Sequence, residues 1–234
     1  MTDATNPTIG RIIITGGASG LGAAVADAVA AAGGTPIVLD RTLPDDPPHE
    51  THRADVADTR ELEEMITRIA EGHGGLDGVV TAAGIDRCGR LDDVDATEWE
   101  RVIRVNLLGT AAAVRAALPY LEASGGRAVT VASTLALKGV SDATAYCASK
   151  FGVLGFSRAL AAETKGRVGV TTLIPGGMST HFFDDRDAQY RPGADAKLND
   201  PANVARAVVF VLSQPAGSEI RELVVGHSEE SSWP

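Results

Sequence analysis

The chain has 234 residues, of which 44% are hydrophobic and 22% are charged, and its formal net charge is −10 at pH 7. This length allows a sizeable core and requires no more than one α/β domain. The negative charge argues against nucleic acid and anionic membranes as partners. Two cysteines and the absence of an apolar signal region in the first ten residues predict a cytoplasmic protein. No run reaches the roughly 18 apolar residues of a membrane span, and the five scattered histidines predict no catalytic metal.

The first predicted element is a short β-branched strand, Arg11–Thr15, which leads directly into a glycine-rich turn, residues 16–22. A helix pattern follows, with Leu21, Val25 and Val29 on one stripe. Glycines allow a tight turn and a close approach of the backbone, and the free amides of the next helix can bind a pyrophosphate. The turn lacks the Lys-Ser/Thr pair of a P-loop. It therefore predicts a dinucleotide-binding loop.

A second strand ends at Asp40 and is followed by Arg41. The next loop is rich in proline and acidic residues and cannot hold a helix or a central strand. Asp40 could simply cap this loop. The glycine turn upstream favours a contact with the cofactor ribose instead.

The middle of the chain continues the alternation of helix and strand. Three apolar residues mark a helix stripe: Leu62, Ile66 and Ile69. Gly78–Thr81 is predicted to be the fourth strand. Thr97 and Glu100 have the spacing of a capping box that opens a long helix. Pro119 is expected to kink or shorten the end of that helix.

The last third of the chain repeats the same alternation. Residues 127–132 and 168–174 are predicted to be the fifth and sixth strands, and 223–225 the final one. Asp200 and Pro201 have the character of an N-cap and a first helical residue. Strands alternating with helices predict a doubly wound parallel sheet covered by helices on both faces.

Tyr146 and Lys150 stand four residues apart in a predicted helix, and Ser133 lies thirteen residues upstream of the tyrosine. Positions i and i+4 share one helix face. A tyrosine with a pKa near 10 needs about 3–4 kcal/mol of stabilisation of its phenolate to reach roughly 7–8. A lysine charge has the right sign for this, and a serine can hold a substrate oxygen. On spacing alone the two side chains could merely share a solvated face, but the glycine turn favours catalysis.

These residues together resemble the short-chain dehydrogenases/reductases, in their compact single-domain branch, from Thr15 to about Val225. The resemblance implies a Rossmann-like fold and an NAD(P)-dependent oxidoreductase that interconverts an alcohol and a carbonyl. It implies a catalytic tetrad: Asn106, Ser133, Tyr146 and Lys150. It also implies a set of cofactor-binding residues: Thr15, Gly16, Ser19, Gly20, Leu21, Gly22, Asp40, Arg41, Asp55, Val56, Ala82, Ala83, Gly84, Tyr146, Lys150, Pro175, Gly176 and Thr180.

The resemblance also assigns roles to these positions. It implies that Tyr146 exchanges the proton, that Lys150 binds the nicotinamide ribose, and that Thr180 bonds the nicotinamide carboxamide. Asn106 would hold a helix kink and a water of the proton relay. Asparagine is unfavourable inside a helix, so Asn106 is either exposed or functional. Thr180 could equally be an ordinary loop threonine.

Three segments are less typical of the family. Thr81 stands where the family has an asparagine that ties strands together, which puts local stability rather than catalysis in question. Residues 177–199 are expected to form a short substrate lid, in which His181, Phe182 and Phe183 either contact substrate or only pack. The polar tail, residues 227–234, differs from the family's usual glycine-rich ending, and Trp233 has no predicted role.

NAD is the predicted cofactor and NADP the less favoured one, because Asp40 would repel a 2′-phosphate. Ser19 also stands where phosphate-binding relatives often place Lys or Arg, whereas Arg41 is a contrary signal. The alternatives are an NADP-dependent ketoreductase similar to 3-oxoacyl reductases, and a non-catalytic dinucleotide sensor. A stripe of small residues on the helix after Tyr146 allows close packing, either on the chain's own sheet or on another subunit: Ala148, Gly152, Gly155 and Ala159. The resemblance implies that this helix pairs across a two-fold axis, and we therefore expect a homo-oligomer, a dimer or a homotetramer. The expected ligand is a small alcohol or carbonyl compound, with no nucleic acid and no membrane as partner.

Overall fold

Strands and helices alternate along the chain so that seven strands form one parallel sheet. The computed structural model describes residues 9–230 and 232. The strands are β1 Arg11–Thr15, β2 Thr35–Asp40, β3 Glu50–Arg53, β4 Gly78–Thr81, β5 Arg127–Val131, β6 Gly169–Pro175 and β7 Glu222–Val225. Their spatial order is β3-β2-β1-β4-β5-β6-β7, and all neighbours are parallel. The predicted doubly wound parallel sheet is confirmed.

The helices cover both faces of this sheet. They are α1 Gly20–Ala31, α2 Thr59–Gly72, α3 Ala96–Ile103, α4 Thr110–Ser124, α5 Thr144–Glu163 and α6 Pro201–Leu212, with a π-helical segment Arg104–Gly109 between α3 and α4. One apolar core lies under α1 and α6, and a second lies under α2 and α4. The strand order reverses between β1 and β4, which is where doubly wound folds bind their ligands.

Two expectations about where the long helix begins and ends are wrong. Its N-cap is Asp95 rather than Thr97, because the Asp95 carboxylate accepts the Thr97 amide at 2.9 Å and already caps the first turn. Pro119 does not end the helix, which continues to Ser124 because buried Ala117 and Leu121 pack on either side of the proline. By contrast, Asp200 caps α6 through the Ala202 amide, as predicted.

The third strand could not be located from the sequence. Glu50–Arg53 is a four-residue edge strand in which no residue is fully buried. Such a strand lacks the apolar run by which buried strands are recognised. The second strand ends at Asp40 as predicted, and the bounds predicted for the other strands agree with the structure to within one residue at each end.

One continuous helix among the described residues, Ala96–Ser124, is long and apolar enough to cross a membrane when judged by length and composition alone. Half of its most apolar window is buried inside the protein. It supplies several residues of the core under α2 and α4. Packing of this kind is what a core helix of a folded domain requires, so its apolar character needs no membrane to explain it.

Candidate active site

The glycine turn is shaped by close backbone packing. Gly16 has φ +69°, and a Cβ there would lie 2.6 Å from the Cα of Ala83. A Cβ on Gly22 would collide with the carbonyl oxygen of Gly16. Only glycine fits either position. The turn is thereby pressed against Ala82 and Ala83, at the carboxyl end of β4.

The helix that follows this turn begins without a side-chain cap. Ser19 is its N-cap residue but makes no side-chain hydrogen bond to the first-turn amides, whereas Asp58 and Asp200 cap α2 and α6. The first amides of a helix have no intrahelical partners and lie at the positive end of its dipole. Buried Leu21 fixes the turn to the core. The arrangement fits the pyrophosphate of a dinucleotide.

Asp40 lies beside the glycine turn at the end of β2. Its two carboxylate oxygens accept the Ala18 amide at 3.0 Å and the Thr42 amide at 2.9 Å. The negative charge is therefore held in a fixed place next to the turn. The side chain of Arg41 is exposed. The fold thus gives the aspartate, rather than the arginine, the ordered position.

Asp55 and Val56 follow β3 and reach the same edge of the sheet. The Ala54 amide donates to the Asp40 carbonyl at 2.8 Å, and this bond joins the two strand ends. Asp55 accepts the Ala57 amide at 2.9 Å. Val56 is buried against Gly109, where an added Cβ would lie 2.9 Å from the Val56 carbonyl oxygen. The structure therefore joins the segment that holds Asp55 to the end of β2, where Asp40 lies.

Tyr146 and Lys150 are buried together on α5, with 9% and 4% of their surfaces exposed. The Lys150 Nζ lies 5.6 Å from the centre of the tyrosine ring and donates to the Val131 carbonyl at 2.9 Å. Ser133 follows β5, is also buried, and accepts the Leu135 amide at 3.1 Å. A shared solvated face is excluded, because both α5 side chains point inward.

The ionisation of this pair differs from the expectation. Burial is the largest influence on Tyr146 and raises its pKa to about 12, although hydrogen bonding by Ser133 acts to lower it. Burial also lowers the pKa of Lys150 to about 8. The sequence predicted a lowered tyrosine pKa. The prediction is wrong for the protein's own groups, because it counted the lysine charge and not the removal of the phenol from water.

Asn106 is completely buried within the π-helical segment. Its Oδ1 accepts the Ile85 amide at 2.8 Å, while its Nδ2 donates to the Ile85 carbonyl at 2.9 Å and to Ser149 Oγ at 3.0 Å. Ser149 Oγ in turn donates to the Tyr146 carbonyl at 2.8 Å. Asn106 therefore clamps the loop after β4 to the helix that carries the tyrosine. Local π-helix often marks functional sites.

Three further predicted residues lie at this edge: Gly84, Thr180 and Thr15. A Cβ on Gly84 would lie 3.6 Å from both Asn106 Oδ1 and Lys150 Nζ. A Cβ on Gly20 would lie 3.5 Å from the Thr180 side chain, so the start of the segment 177–199 lies against the glycine turn. The Thr180 hydroxyl accepts the Phe182 amide at 3.3 Å. Thr15 is buried at the end of β1.

Thr81, which replaces the family asparagine, is buried and accepts a hydrogen bond from the Thr110 hydroxyl at 3.4 Å. The threonine thus finds a partner on α4. Buried hydroxyl groups need such partners, because an unpaired one is costly. The bond is long, and it joins β4 to a helix rather than to a neighbouring strand.

The tail braces the turn after β6, which the sequence did not reveal. Glu230 Oε2 accepts the Gly177 amide at 2.8 Å and lies against Gly176, the residue after Pro175. Ser232 bonds to Thr134, next to the predicted catalytic serine, at 2.6 Å. The residue types gave no signal for these contacts, because isolated Glu and Ser residues are common in polar tails. Trp233 lies outside the described residues.

The segment predicted to form the lid, residues 177–199, is fastened by a second contact that the sequence did not reveal. Arg186 Nη2 donates to Asp86 Oδ2 at 2.6 Å, and the two residues are 100 positions apart in the chain. Neither residue stands in a recognisable motif. Within residues 9–230 and 232, no group of three or more His, Cys, Asp or Glu side chains is arranged to hold a metal ion.

Known proteins are similar in sequence to this chain over most of its length. The family described as short chain dehydrogenase matches residues 11–191. The chain is 33% identical to a D-threitol dehydrogenase of Mycolicibacterium smegmatis, over 87% of this chain and 86% of that protein. It is 32% identical to an uncharacterised oxidoreductase of Staphylococcus aureus, over 91% of this chain and 95% of that protein.

Solved structures of dehydrogenases have a similar fold. An alcohol dehydrogenase from the archaeon Thermococcus sibiricus, complexed with 5-hydroxy-NADP, has a TM-score of 0.82 and 26% identity, covering 94% of this chain and 97% of its own. A ligand-free aldohexose dehydrogenase of Thermoplasma acidophilum also has a TM-score of 0.82, with 24% identity over 92% of this chain and 91% of its own. At that identity the second likeness concerns the fold alone.

Proposed function

Since the chain belongs to the short-chain dehydrogenase family and is therefore an NAD(P)-dependent oxidoreductase, we propose that it interconverts a secondary alcohol and a carbonyl with NAD as its cofactor. One observation carries the proposal. Tyr146 and Lys150 are buried side by side, next to Ser133, on the edge of the sheet where the glycine turn lies. A proton-exchanging group and a dinucleotide-binding turn on one edge suit hydride transfer.

We assign the proton transfer to Tyr146. In the oxidative direction its phenolate takes the hydroxyl proton, while Ser133 holds the substrate oxygen. When bound, the oxidised cofactor supplies the hydride acceptor and a positive charge that favours the phenolate against the cost of burial. Lys150 holds the nicotinamide ribose and adds its own charge. Asn106 keeps the loop after β4 and helix α5 in register, as its bonds to Ile85 and Ser149 require.

The choice of NAD rests on Asp40. Its carboxylate is fixed beside the glycine turn by two backbone amides, where it can accept hydrogen bonds from ribose hydroxyls and repel a 2′-phosphate. The main alternative, an NADP-dependent ketoreductase, is favoured by the adjacent Arg41 and by the archaeal relative complexed with 5-hydroxy-NADP. An exposed arginine should add little to the binding of a 2′-phosphate, because surface ion pairs contribute about 0–1 kcal/mol.

The deciding experiment is a turnover screen with both cofactors, followed by absorbance of the reduced nicotinamide. The panel starts with four-carbon polyols, because a relative at 33% identity is a D-threitol dehydrogenase, and extends to simple secondary alcohols and ketones. Reduction of NAD by one or more of these alcohols supports the proposal. Tight binding of cofactor without turnover of any compound would instead favour the dinucleotide sensor.

We also propose a cytoplasmic homo-oligomer, a dimer or a tetramer, of single-domain subunits. The face of α5 that carries exposed Gly155 also exposes Phe151, and Leu108 of the π-helical segment is exposed as well. On the other side of the sheet Phe210 of α6 is 58% exposed. Large apolar side chains at the surface suit an interface between copies.

This assembly can be tested at Gly155. A Cβ there meets nothing within 4 Å, so Gly155→Glu fits the monomer but would place a charge in the interface. Gly72→Glu is the matched control, because a Cβ added to this glycine of α2 would also meet nothing within 4 Å. Light scattering should give a smaller particle for the first variant only. Wild type that scatters as a monomer at micromolar concentration would refute the assembly.

A further inference from the structure

The ion pair between Arg186 and Asp86 is the most buried one among the described residues. The Arg186 side chain is 17% exposed and that of Asp86 is 3% exposed. For comparison, both side chains of the Arg11–Asp77 pair are 30% exposed. A carboxylate as buried as Asp86 requires a charged or hydrogen-bonding partner, since an unpaired charge there is strongly unfavourable.

Asp86 is held by its own loop after β4 as well as by Arg186. Its Oδ1 accepts the Arg87 amide at 2.7 Å, and its Oδ2 accepts the Cys88 thiol at 3.2 Å as well as the arginine. The preceding residue, Ile85, is clamped by both polar atoms of the Asn106 side chain. The carboxylate therefore belongs to a rigid loop at the edge where Tyr146 lies.

Arg186 is the centre of the lid. Its guanidinium carbon lies 5.4 Å and 4.6 Å from the ring centres of Phe182 and Phe183, and its Nη1 donates to the Tyr190 carbonyl at 3.3 Å. Its Nε is buried and has no hydrogen-bond partner among residues 9–230 and 232. The Phe182 ring in turn lies 5.7 Å from the Tyr146 ring. One guanidinium thus joins the lid aromatics to the catalytic side of the molecule.

We propose that Arg186 is a positioning residue of the dehydrogenase reaction: through Asp86 it holds the lid closed with Phe182 against Tyr146, and it compensates a buried carboxylate beside the phenol. The inference rests on the proposed function, because it gives Tyr146 the proton transfer. The pair has no direct contact with the reacting atoms and acts through the tyrosine and the lid.

The two charges act on the tyrosine in opposite directions. After burial, which raises the pKa of Tyr146 most, and Ser133, which lowers it, Asp86 raises that pKa and Arg186 lowers it. The other groups that face the phenol are Cys147, which raises its pKa, and the Lys150 ammonium beneath the ring. Loss of the arginine therefore leaves the raising charge of Asp86 uncompensated.

The test is the pH profile of alcohol oxidation. In Arg186→Gln, kcat/KM should fall at least tenfold, and the rising limb that reports the phenolate should move to higher pH by about half a unit or more. In Asp86→Asn the limb should move to lower pH, and in the double variant it should return near the wild-type position. Arg186→Lys keeps the charge and should keep the limb while it loses part of the rate.

Arg191→Gln is the matched control, because Arg191 holds the lid through the carbonyls of Asp184 and Arg186 and not through a carboxylate. This variant should slow turnover without moving the limb. Chymotrypsin cleavage after Phe182 or Phe183, measured by mass without any substrate, should be at least several-fold faster in Arg186→Gln than in wild type.

The two readouts separate the possible failures. Limbs that coincide in wild type, Arg186→Gln and Asp86→Asn would overturn the electrostatic part of the proposal. Equal cleavage rates of the lid in wild type and Arg186→Gln would overturn the claim that Arg186 holds the lid closed. Absence of nicotinamide-linked turnover in wild type would overturn the proposed function instead, and the cleavage rates would still decide whether Arg186 fastens the lid.

Discussion

The glycine turn and the lid lie at the same edge of the sheet, but they are held in different ways. The turn is fixed by backbone packing, because a side chain on Gly16 would meet the Ala83 backbone and a side chain on Gly22 would meet the Gly16 backbone. The lid is fixed by side chains that are distant in sequence, chiefly Arg186 and Asp86. Backbone packing tolerates almost no substitution, whereas a side-chain contact can be lost while the fold survives. Substitutions in the glycine turn should therefore lower the stability of the protein. Substitutions in the lid should lower its activity and leave the fold intact.

The largest expected effect concerns the helix between these two regions. Tyr146→Phe keeps the ring that packs on Phe182 and removes the transferable proton. Turnover should fall by roughly 10²–10⁴, as for a lost acid or base, while cofactor binding changes little. Tyr120→Phe is the control, since it makes the same change on α4. A variant that keeps more than about a tenth of wild-type turnover would show that another group moves the proton.

Gly16→Ala tests the rigidity of the turn. The added methyl meets the Ala83 backbone at 2.6 Å and the residue has φ +69°, so we expect a loss of about 2–4 kcal/mol in unfolding free energy. Gly33→Ala separates the two causes, because Gly33 has φ +81° and nothing within 4 Å of its Cβ. It should lose only about 1–2 kcal/mol. Urea unfolding measures both, and equal losses would contradict the role given to close packing.

Asp40→Ser tests whether the aspartate beside the glycine turn sets the preference for NAD over NADP. Wild type should prefer NAD to NADP by at least about tenfold in kcat/KM, which corresponds to about 1.4 kcal/mol. The substitution should reduce this ratio, because it removes the charge that repels a 2′-phosphate. Arg41→Ala should leave the preference for NAD in place. Preference of the wild type for NADP, lost in Arg41→Ala, would transfer the selectivity to the arginine.

The smallest effect is expected at the tail, which braces the start of the lid. Glu230→Ala removes the acceptor of the Gly177 amide and of the Ser232 amide at 3.1 Å. Loss of one such hydrogen bond is worth about 0.5–1.5 kcal/mol, so KM for the cofactor should rise about two- to tenfold. Glu229→Ala removes a neighbouring exposed carboxylate and should change nothing. If the two variants behave alike, the tail does not support the site.

Much of the fold and part of the candidate site were predictable, for local reasons. The alternation of apolar strands and amphipathic helices is a property of short segments, and it indicated the parallel sheet. The edge strand Glu50–Arg53 escaped detection because polar residues dominate it. The capping residue Asp95 was missed because Thr97 has the spacing of a capping box while the aspartate before it already accepts the first-turn amide.

The sequence by itself determined the glycine turn, the alternation of strands and helices that predicts a doubly wound sheet, and the placement of Tyr146 and Lys150 on one helix face, since each depends on the pattern within short segments. Only the tertiary structure decided which groups are withdrawn from water. Burial, a property of the whole fold, raises the pKa of Tyr146 to about 12 against the expected direction. The tertiary structure also pairs Asp86 with Arg186, which lie 100 residues apart in the chain, and no local pattern encodes this pairing.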